Sequence, residues 1–207
     1  MTDPTPAGEK DILTRILAGD EEAFIHLYRE RHGPVYRFAL QMSGSRSVAE
    51  DVTQEVFLAL IHEVHNYDAS RGTLSGYLYG MARNMVFDHL KRGRMDVPLA
   101  QAEADGERSL TAPMDASGDP LGDLTRDEAV ESLRQAVLVL PQHYREVVVL
   151  CDLHEMNYQD AAKVLGCAVG TVRSRLHRAR ELLLKKLSTR GTPGQAVQSM
   201  NPARCYL

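Results

Sequence analysis

Arginines, short polar side chains and a histidine recur at helical spacing in the last third of this 207-residue chain. Val172, Leu176, Ala179 and Leu183 would form one apolar helix face, which leaves the polar and basic side chains on the opposite side. Such side chains hydrogen-bond base edges and phosphates in duplex DNA, although an Arg-rich surface helix of a bundle is the alternative. The predicted outward residues are Thr171, Arg173, Ser174, Arg175, His177 and Arg178, with Arg180 beside them.

A tight turn precedes this basic helix. Asn157 can cap a short helix, and Gly166 can end it, so that only a few residues join the two helices. The apolar face of the second helix would then pack on Ala161 and Ala162. This arrangement is typical of a helix-turn-helix.

Charge is distributed unevenly along the chain, whose formal net charge is −4. Residues 83–94 carry a net +3 and residues 163–190 a net +7, whereas residues 95–128 carry −7. Two basic patches in an acidic chain are the pattern expected of a protein that binds a polyanion. A solvated basic helix face is the alternative interpretation.

Composition is that of an ordinary globular protein, with 43% hydrophobic and 25% charged residues. No apolar run approaches the ~20 residues of a membrane span, and no secretion signal is visible at the N-terminus. Cys151, Cys167 and Cys205 lack paired Cys-x-x-Cys spacing, which fits a reducing compartment and favours core packing of the first two over zinc binding. We therefore expect a cytoplasmic protein without membrane insertion.

Helix signals dominate the N-terminal half, and alternating strand patterns are absent. Asp20 can cap a first helix, which Gly33-Pro34 is expected to end. A second helix would start at Pro34 and end at Ser43-Gly44.

Two further elements follow. A capping-box pattern at residues 47–50 is expected to open a long helix. Residues 66–72 have the composition of a loop, and Thr73 can cap another helix that ends near Gly93.

The character of the chain changes after residue 95. Residues 96–124 hold prolines, glycines and acids but few large apolar side chains, which predicts a flexible acidic linker. A second capping box at residues 125–128 and then Pro141 would each open a helix beyond it. The prediction is an all-α protein with two small helical domains (10–95 and 125–188), this linker (96–124) and a disordered tail (189–207).

Three sequence blocks are informative when they are taken together. The blocks are Ala49–Phe57, Tyr77–Arg92 and a C-terminal set of Leu140–Leu150, Tyr158–Ala162 and Gly170–Arg180. In this order they closely resemble regions 2.2, 2.3–2.4 and 4 of the bacterial extracytoplasmic-function (ECF) sigma factors, a group of the sigma-70 family. The chain departs from the family pattern at Tyr77, where Trp is common.

The resemblance implies an alternative sigma factor that binds core RNA polymerase, directs initiation at −35 and −10 promoter elements and assists −10 melting. Asp51, Gln54 and Glu55 would dock on the β′ coiled coil of the polymerase. An acidic and amide stripe suits a basic partner surface. A plain solvated face, with acids placed near a helix start, is the alternative.

The resemblance assigns −10 recognition to residues between 66 and 92. The loop would capture a flipped base, on which Tyr67 or Tyr77 would stack, with ordinary core packing of both rings as the alternative. On the helix that follows, some of the polar residues recur at i, i+4 and i+7 along one stripe. The full set is Asn66, Tyr67, Tyr77, Arg83, Asn84, Asp88, Lys91 and Arg92.

The region 4 resemblance implies that the basic helix reads the −35 element and that this domain contacts the polymerase β flap. The acidic linker would thread the active-site cleft and RNA exit channel, or act as a plain tether. A cognate anti-sigma factor that masks the polymerase- and DNA-binding faces is also implied.

Two other functions account for less of the sequence. A metal-dependent enzyme would use Asp51, Glu55, His62 and His65, but the Glu-x-x-His pairs of a helical-bundle metal site are missing. No glycine-rich phosphate loop or serine-nucleophile motif occurs. A stand-alone helix-turn-helix regulator leaves residues 49–92 unexplained. We expect no enzyme activity, no cofactor, no metal and no small-molecule substrate.

Overall fold

The computed structural model describes residues 6–95 and 120–189. Within these ranges the chain forms eight α-helices and no β-strand, which confirms the all-α class. Most of the predicted linker and tail (96–119 and 190–207) lies outside the described residues. The helices are α1 (Pro6–Leu17), α2 (Glu21–Ser43), α3 (Arg46–Glu63), α4 (Leu74–Met95), α5 (Pro120–Leu138), α6 (Gln142–Val148), α7 (Tyr158–Leu165) and α8 (Val169–Thr189).

Helices α1–α4 form an N-terminal unit. Their apolar stripes meet around Phe38, Val52, Leu60 and Leu78, whose side chains are fully buried. Burial of each such side chain stabilises the fold by about 2 kcal/mol. Leu13 of α1 joins the same core, so the first helix is part of this unit.

Several predicted helix ends are confirmed by their capping contacts. The Asp20 carboxylate accepts a hydrogen bond from Ala23 N at 3.1 Å, and Thr73 Oγ1 accepts one from Gly76 N at 3.1 Å. Gly44 ends α2 with φ +73°, a left-handed conformation that favours glycine.

Other predicted boundaries are wrong. Pro34 lies inside a continuous α2, because the apolar stripe on both sides of the proline packs on one core and outweighs the lost backbone hydrogen bond. Ser45, two residues before the expected capping box, caps α3. Helix α5 starts at Pro120, within the predicted linker, so Thr125 lies inside a helix.

Helices α5–α8 form a C-terminal unit, and its helix-turn-helix is confirmed. Asn157 caps α7 by accepting a hydrogen bond from Asp160 N at 2.9 Å, and Gly166 ends it with φ +62°. The apolar face of α8, including Val172 and Leu176, is buried against α7 and α6. A π-helical turn, Val149–Leu153, follows α6.

The two units pack against each other. Helix α7 lies on α4, and α5 and the π-helical turn lie on α2, so the buried residues of both units form one core. Arg145 Nη1 donates to Met42 O at 2.7 Å, and Nη2 donates to Leu138 O and Leu140 O. The guanidinium thereby bridges carbonyls at the C-terminal ends of α2 and α5, where positive charge is favourable.

Candidate nucleic-acid interface

The outer face of α8 carries the predicted base-reading residues. Arg173, Ser174, His177 and Arg178 are exposed, whereas Thr171 and Arg175 are half-buried beside them. The hydroxyl of Ser174 donates to Thr171 O at 3.1 Å, and His177 lies 3.3 Å from Glu181. These contacts are local to the helix surface, so the face can be offered to a groove of DNA.

Arg180 does not belong to that face. Its guanidinium makes a two-pronged ion pair with the buried carboxylate of Asp152, at 2.6 and 3.1 Å. The sequence placed Arg180 beside the reading face, and in the structure its charge is paired with Asp152. It ties α8 to the π-helical turn instead.

A second polar face lies on α4. Asn84, Asp88, Lys91 and Arg92 are exposed, and Lys91 Nζ lies 3.6 Å from the Asp88 carboxylate. Arg83, predicted to hold phosphate, instead donates from Nε to the carboxylate of Glu146 at 3.0 Å.

That ion pair crosses the boundary between the units. The carboxylate of Glu146 on α6 is nearly fully buried, and the guanidinium of Arg83 also lies 5.0 Å from the Phe87 ring. In this arrangement the positive charge of Arg83 is therefore neutralised by the carboxylate of Glu146.

The loop Tyr67–Thr73 and the start of α4 border a cavity of about 360 Å³. Tyr67 and Tyr77 form part of its wall with ring centroids 5.5 Å apart, so the structure brings the two predicted stacking residues together. Lys163 and Val164 of α7 also line this cavity. Asn66 ends a 3₁₀ turn immediately before the loop.

Both tyrosines are half-buried and keep their phenolic protons at neutral pH. Burial, followed by the charge and hydrogen bond of Glu9, raises the pKa of Tyr67 to about 12. Burial and the charge of Glu63 raise the pKa of Tyr77 as well. Their rings thus combine partial core packing with exposure to the cavity.

A third face lies on α3. Asp51 and Gln54 are exposed as predicted, whereas Glu55 accepts a hydrogen bond from His89 Nε2 at 3.0 Å. Sequence reasoning missed two apolar residues on the same face, Leu58 and Ile61, which are 58% and 46% exposed. Leu58 lies four residues after Gln54, and Ile61 lies three residues after Leu58, and this helical spacing was the available signal.

Comparisons with known proteins show the family to which this chain belongs. Residues 27–95 match the family model for sigma-70 region 2, and residues 130–183 match the model for sigma-70 region 4. The chain is 31% identical over 186 residues to the ECF RNA polymerase sigma factor SigW of Bacillus subtilis, covering 86% of this chain and 96% of that protein. The chain belongs to the ECF sigma factors of the sigma-70 family.

Another relative and a solved structure extend this result. This ECF sigma factor is 34% identical over 175 residues to SigE of Mycolicibacterium smegmatis, covering 80% of this chain and 63% of that protein. Its fold is similar to the sigma factor RpoE in complex with the anti-sigma factor NepR from Bartonella quintana. The TM-score is 0.63 at 24% identity, over 80% of this chain and 96% of the other.

Family membership decides between the functions that the sequence left open. The protein is an alternative sigma factor that directs transcription, and sigma factors are initiation factors rather than enzymes. The stand-alone regulator is not favoured because region 2 occupies residues 27–95. Among the described residues, no group of three or more His, Cys, Asp or Glu side chains could hold a metal.

The described cysteines of this sigma factor pack against the core. Cys151 and Cys167 are unpaired and half-buried, and burial with the charge of Asp152 raises the pKa of the Cys151 thiol to about 12. Cys205 lies outside the described residues. No helix in residues 6–95 or 120–189 is long and apolar enough to cross a membrane.

Proposed function

We propose that this ECF sigma factor binds core RNA polymerase and promoter DNA, reads the −35 element with α8, and reads and helps to melt the −10 element with α4 and the preceding loop. The observation that carries the proposal is the exposed polar face of α8 on a helix-turn-helix, in a chain that displays a second polar face on α4. One such face fits a DNA-binding regulator, whereas two fit a protein that contacts two promoter elements.

Recognition of the −35 element is assigned to Ser174, His177, Arg178 and the flanking arginines. Guanidinium and hydroxyl groups on an outward helix face supply direct hydrogen bonds to base edges, each worth about 1–3 kcal/mol of discrimination. Arg173 and Arg175 border this face and suit phosphate contacts.

Recognition of the −10 element is assigned to the cavity and the exposed stripe of α4. Extruding a base costs a few kcal/mol, which stacking on Tyr67 or Tyr77 would offset. Lys163 and Val164 of α7 also line that cavity, so we expect the C-terminal unit to move away from α4 when a promoter strand enters. Such a movement would also separate Glu146 of α6 from Arg83 and free the arginine for phosphate.

Docking on the polymerase is assigned to the α3 face, with the β′ coiled coil as its partner and the β flap as the partner of region 4. Exposed carboxylate and amide groups of Asp51 and Gln54 suit a basic surface, and Leu58 and Ile61 add apolar area that a partner helix would bury.

A cognate anti-sigma factor is proposed because a structure with the same fold was solved with one bound. The acidic residues between the two regions are proposed to enter the basic channels of the polymerase. We place the protein in the cytoplasm, with no catalytic activity and no cofactor of its own.

Transcription in vitro from a randomised promoter library tests the proposal. Bacterial core RNA polymerase is supplied with and without this protein, and transcript ends are sequenced. Start sites that appear only with both components support the proposal and reveal both promoter elements. Specific duplex binding by the protein alone, without transcripts, would contradict it and favour a regulator.

A further inference from the structure

Helix α1 lies before the segment that matches sigma-70 region 2, yet it reaches the loop assigned to −10 recognition. Its Glu9 side chain is 4% exposed, although a carboxylate is rarely buried without partners. The contacts that Glu9 makes account for its burial.

Glu9 contacts both ends of the loop Tyr67–Thr73. Its Oε2 accepts a hydrogen bond from Leu74 N at 3.2 Å, at the first residue of α4, and lies 3.4 Å from the Tyr67 hydroxyl. That hydroxyl also lies 3.1 Å from Gly72 O. One carboxylate oxygen thus links the residue that begins the loop to the residue that follows it.

The second oxygen of Glu9 faces a cation. Oε1 lies 3.7 Å from Nη2 of Arg31, which is itself buried in α2 and donates from Nη1 to Ser75 Oγ at 2.7 Å. Glu9 and Arg31 therefore hydrogen-bond to the first two residues of α4, Leu74 and Ser75 respectively. A carboxylate suits this position, because it offers one acceptor oxygen to the loop and one to the arginine, whereas an amide has a single acceptor oxygen. Arg31 Nη2 also lies 3.5 Å from the carboxylate of Glu30.

We propose that Glu9 is a positioning residue for the −10 element, whose carboxylate holds both ends of the Tyr67–Thr73 loop so that the Tyr67 ring is fixed beside Tyr77 at the base-capturing cavity. This inference rests on the proposed function of the loop. Tyr67 would touch the promoter, whereas Glu9 acts only through Tyr67 and Leu74. The N-terminal helix is thereby part of promoter recognition without contacting DNA.

The test uses the full-length protein, core RNA polymerase and a promoter selected in the library experiment. Glu9→Gln is compared with Asp11→Asn, which removes the same charge from an exposed position of α1. The readout is the ratio of transcription from the selected −10 element to that from single-base substitutions of it. We expect Glu9→Gln to lower this ratio about tenfold, as for one charge-assisted hydrogen bond, and Asp11→Asn to leave it unchanged.

Two further readouts separate positioning from loss of folding. Glu9→Gln should retain wild-type discrimination at the −35 element and wild-type affinity for core polymerase. Hydrogen exchange at Leu74 N–H and within the loop should become about tenfold faster in Glu9→Gln alone. Equal losses at both promoter elements and in polymerase affinity would overturn the inference, as would an unchanged −10 ratio.

A double-mutant cycle gives a test that does not depend on Glu9→Gln alone. Tyr67→Phe removes the hydroxyl near Glu9 and keeps the stacking ring. If Glu9 acts through Tyr67, the effects of the two substitutions on the −10 ratio are less than additive in the double variant. Full additivity would overturn the inference. Absence of transcripts with the wild-type protein would instead overturn the proposed function, and the inference with it.

Discussion

The imidazole of His154 is hydrogen-bonded across the boundary between the two units, and Tyr79 is one of its partners. Tyr79 Oη lies 2.9 Å from Nδ1, and Gln41 Oε1 lies 2.9 Å from Nε2. Because the amide oxygen only accepts, Nε2 carries the proton and Nδ1 accepts from the phenol, so the neutral ring satisfies both partners. Burial, together with the charge of Arg37, lowers the pKa of His154 to about 4.

We expect acid to loosen the packing of the two units. When the two units are apart, His154 binds a proton near its ordinary pKa of 6.5, whereas in the packed arrangement it stays neutral down to about pH 4. The contribution of neutral His154 to the free energy of packing is therefore fully present above pH 6.5 and is lost as the pH falls towards 4. This contribution is at most about 3 kcal/mol. Small-angle scattering at several pH values measures the change as an increase in radius of gyration.

The control is His154→Gln, whose amide keeps hydrogen-bonding capacity and does not titrate. It should expand less than the wild-type protein between pH 6.5 and pH 4. The same expansion in both proteins would assign the acid response to other groups.

Glu146→Gln should favour separation of the units and expose the −10 face. The substitution leaves the partly buried Arg83 without its anionic partner and weakens packing by about 2 kcal/mol, because an uncompensated charge remains at the boundary. Affinity for a single-stranded oligonucleotide with the selected −10 sequence should rise several-fold, as measured by fluorescence anisotropy.

A matched control for Glu146→Gln is Glu131→Gln. Glu131 forms an exposed ion pair with Arg134 on α5 at 3.6 Å, and such pairs contribute little. The affinity of the Glu131→Gln variant for the oligonucleotide should equal that of the wild-type protein. Equal affinities for all three proteins would show that the Arg83–Glu146 pair does not restrict access to the −10 face.

Local signals made the helix-turn-helix predictable. The cap at Asn157, the stop at Gly166 and the apolar face through Val172 and Leu176 all act within one or two helical turns. Such features depend on a few neighbouring residues, so the sequence displays them directly.

Contacts between distant residues were not predictable in the same way. Glu9 and Leu74 are 65 positions apart, and Arg83 and Glu146 are 63 apart, so no periodicity links them. The continuity of α2 through Pro34 has the same origin, since packing of both halves on one core overrides a local helix breaker. The sequence therefore predicted which residues face outward better than which charges are already paired.

Arg178→Ala should impair promoter discrimination, whereas Arg180→Ala should impair stability, although the two residues are only two positions apart. Arg178 is exposed on the reading face, so its truncation should reduce −35 discrimination by about 1–3 kcal/mol and leave the melting temperature unchanged. Arg180 pairs with the buried Asp152, so its truncation should lower the free energy of unfolding by about 2 kcal/mol. Competition binding with −35 variants and thermal denaturation measure the two effects.

Ser174→Ala extends this comparison. Loss of its hydroxyl should reduce discrimination at a single −35 position without changing stability, because the hydroxyl bonds only to a carbonyl of its own helix in the free protein. Unchanged promoter preference in both Arg178→Ala and Ser174→Ala would remove the base-reading role from this face.

Asp51→Ala combined with Glu55→Ala should weaken binding to core polymerase by about tenfold without unfolding the N-terminal unit. Asp51 is exposed, and Glu55 accepts only one partly exposed hydrogen bond, from His89, so the fold loses little. Both carboxylates are available to a basic partner, where charge complementarity governs association. Competition with a reference sigma factor for core polymerase measures the affinity, and circular dichroism checks the fold.

The matched control is Asp11→Ala combined with Glu22→Ala, which removes the same charge from exposed positions of α1 and α2. This double variant should bind core polymerase normally. An equal loss in both double variants would attribute the effect to net charge rather than to the α3 face.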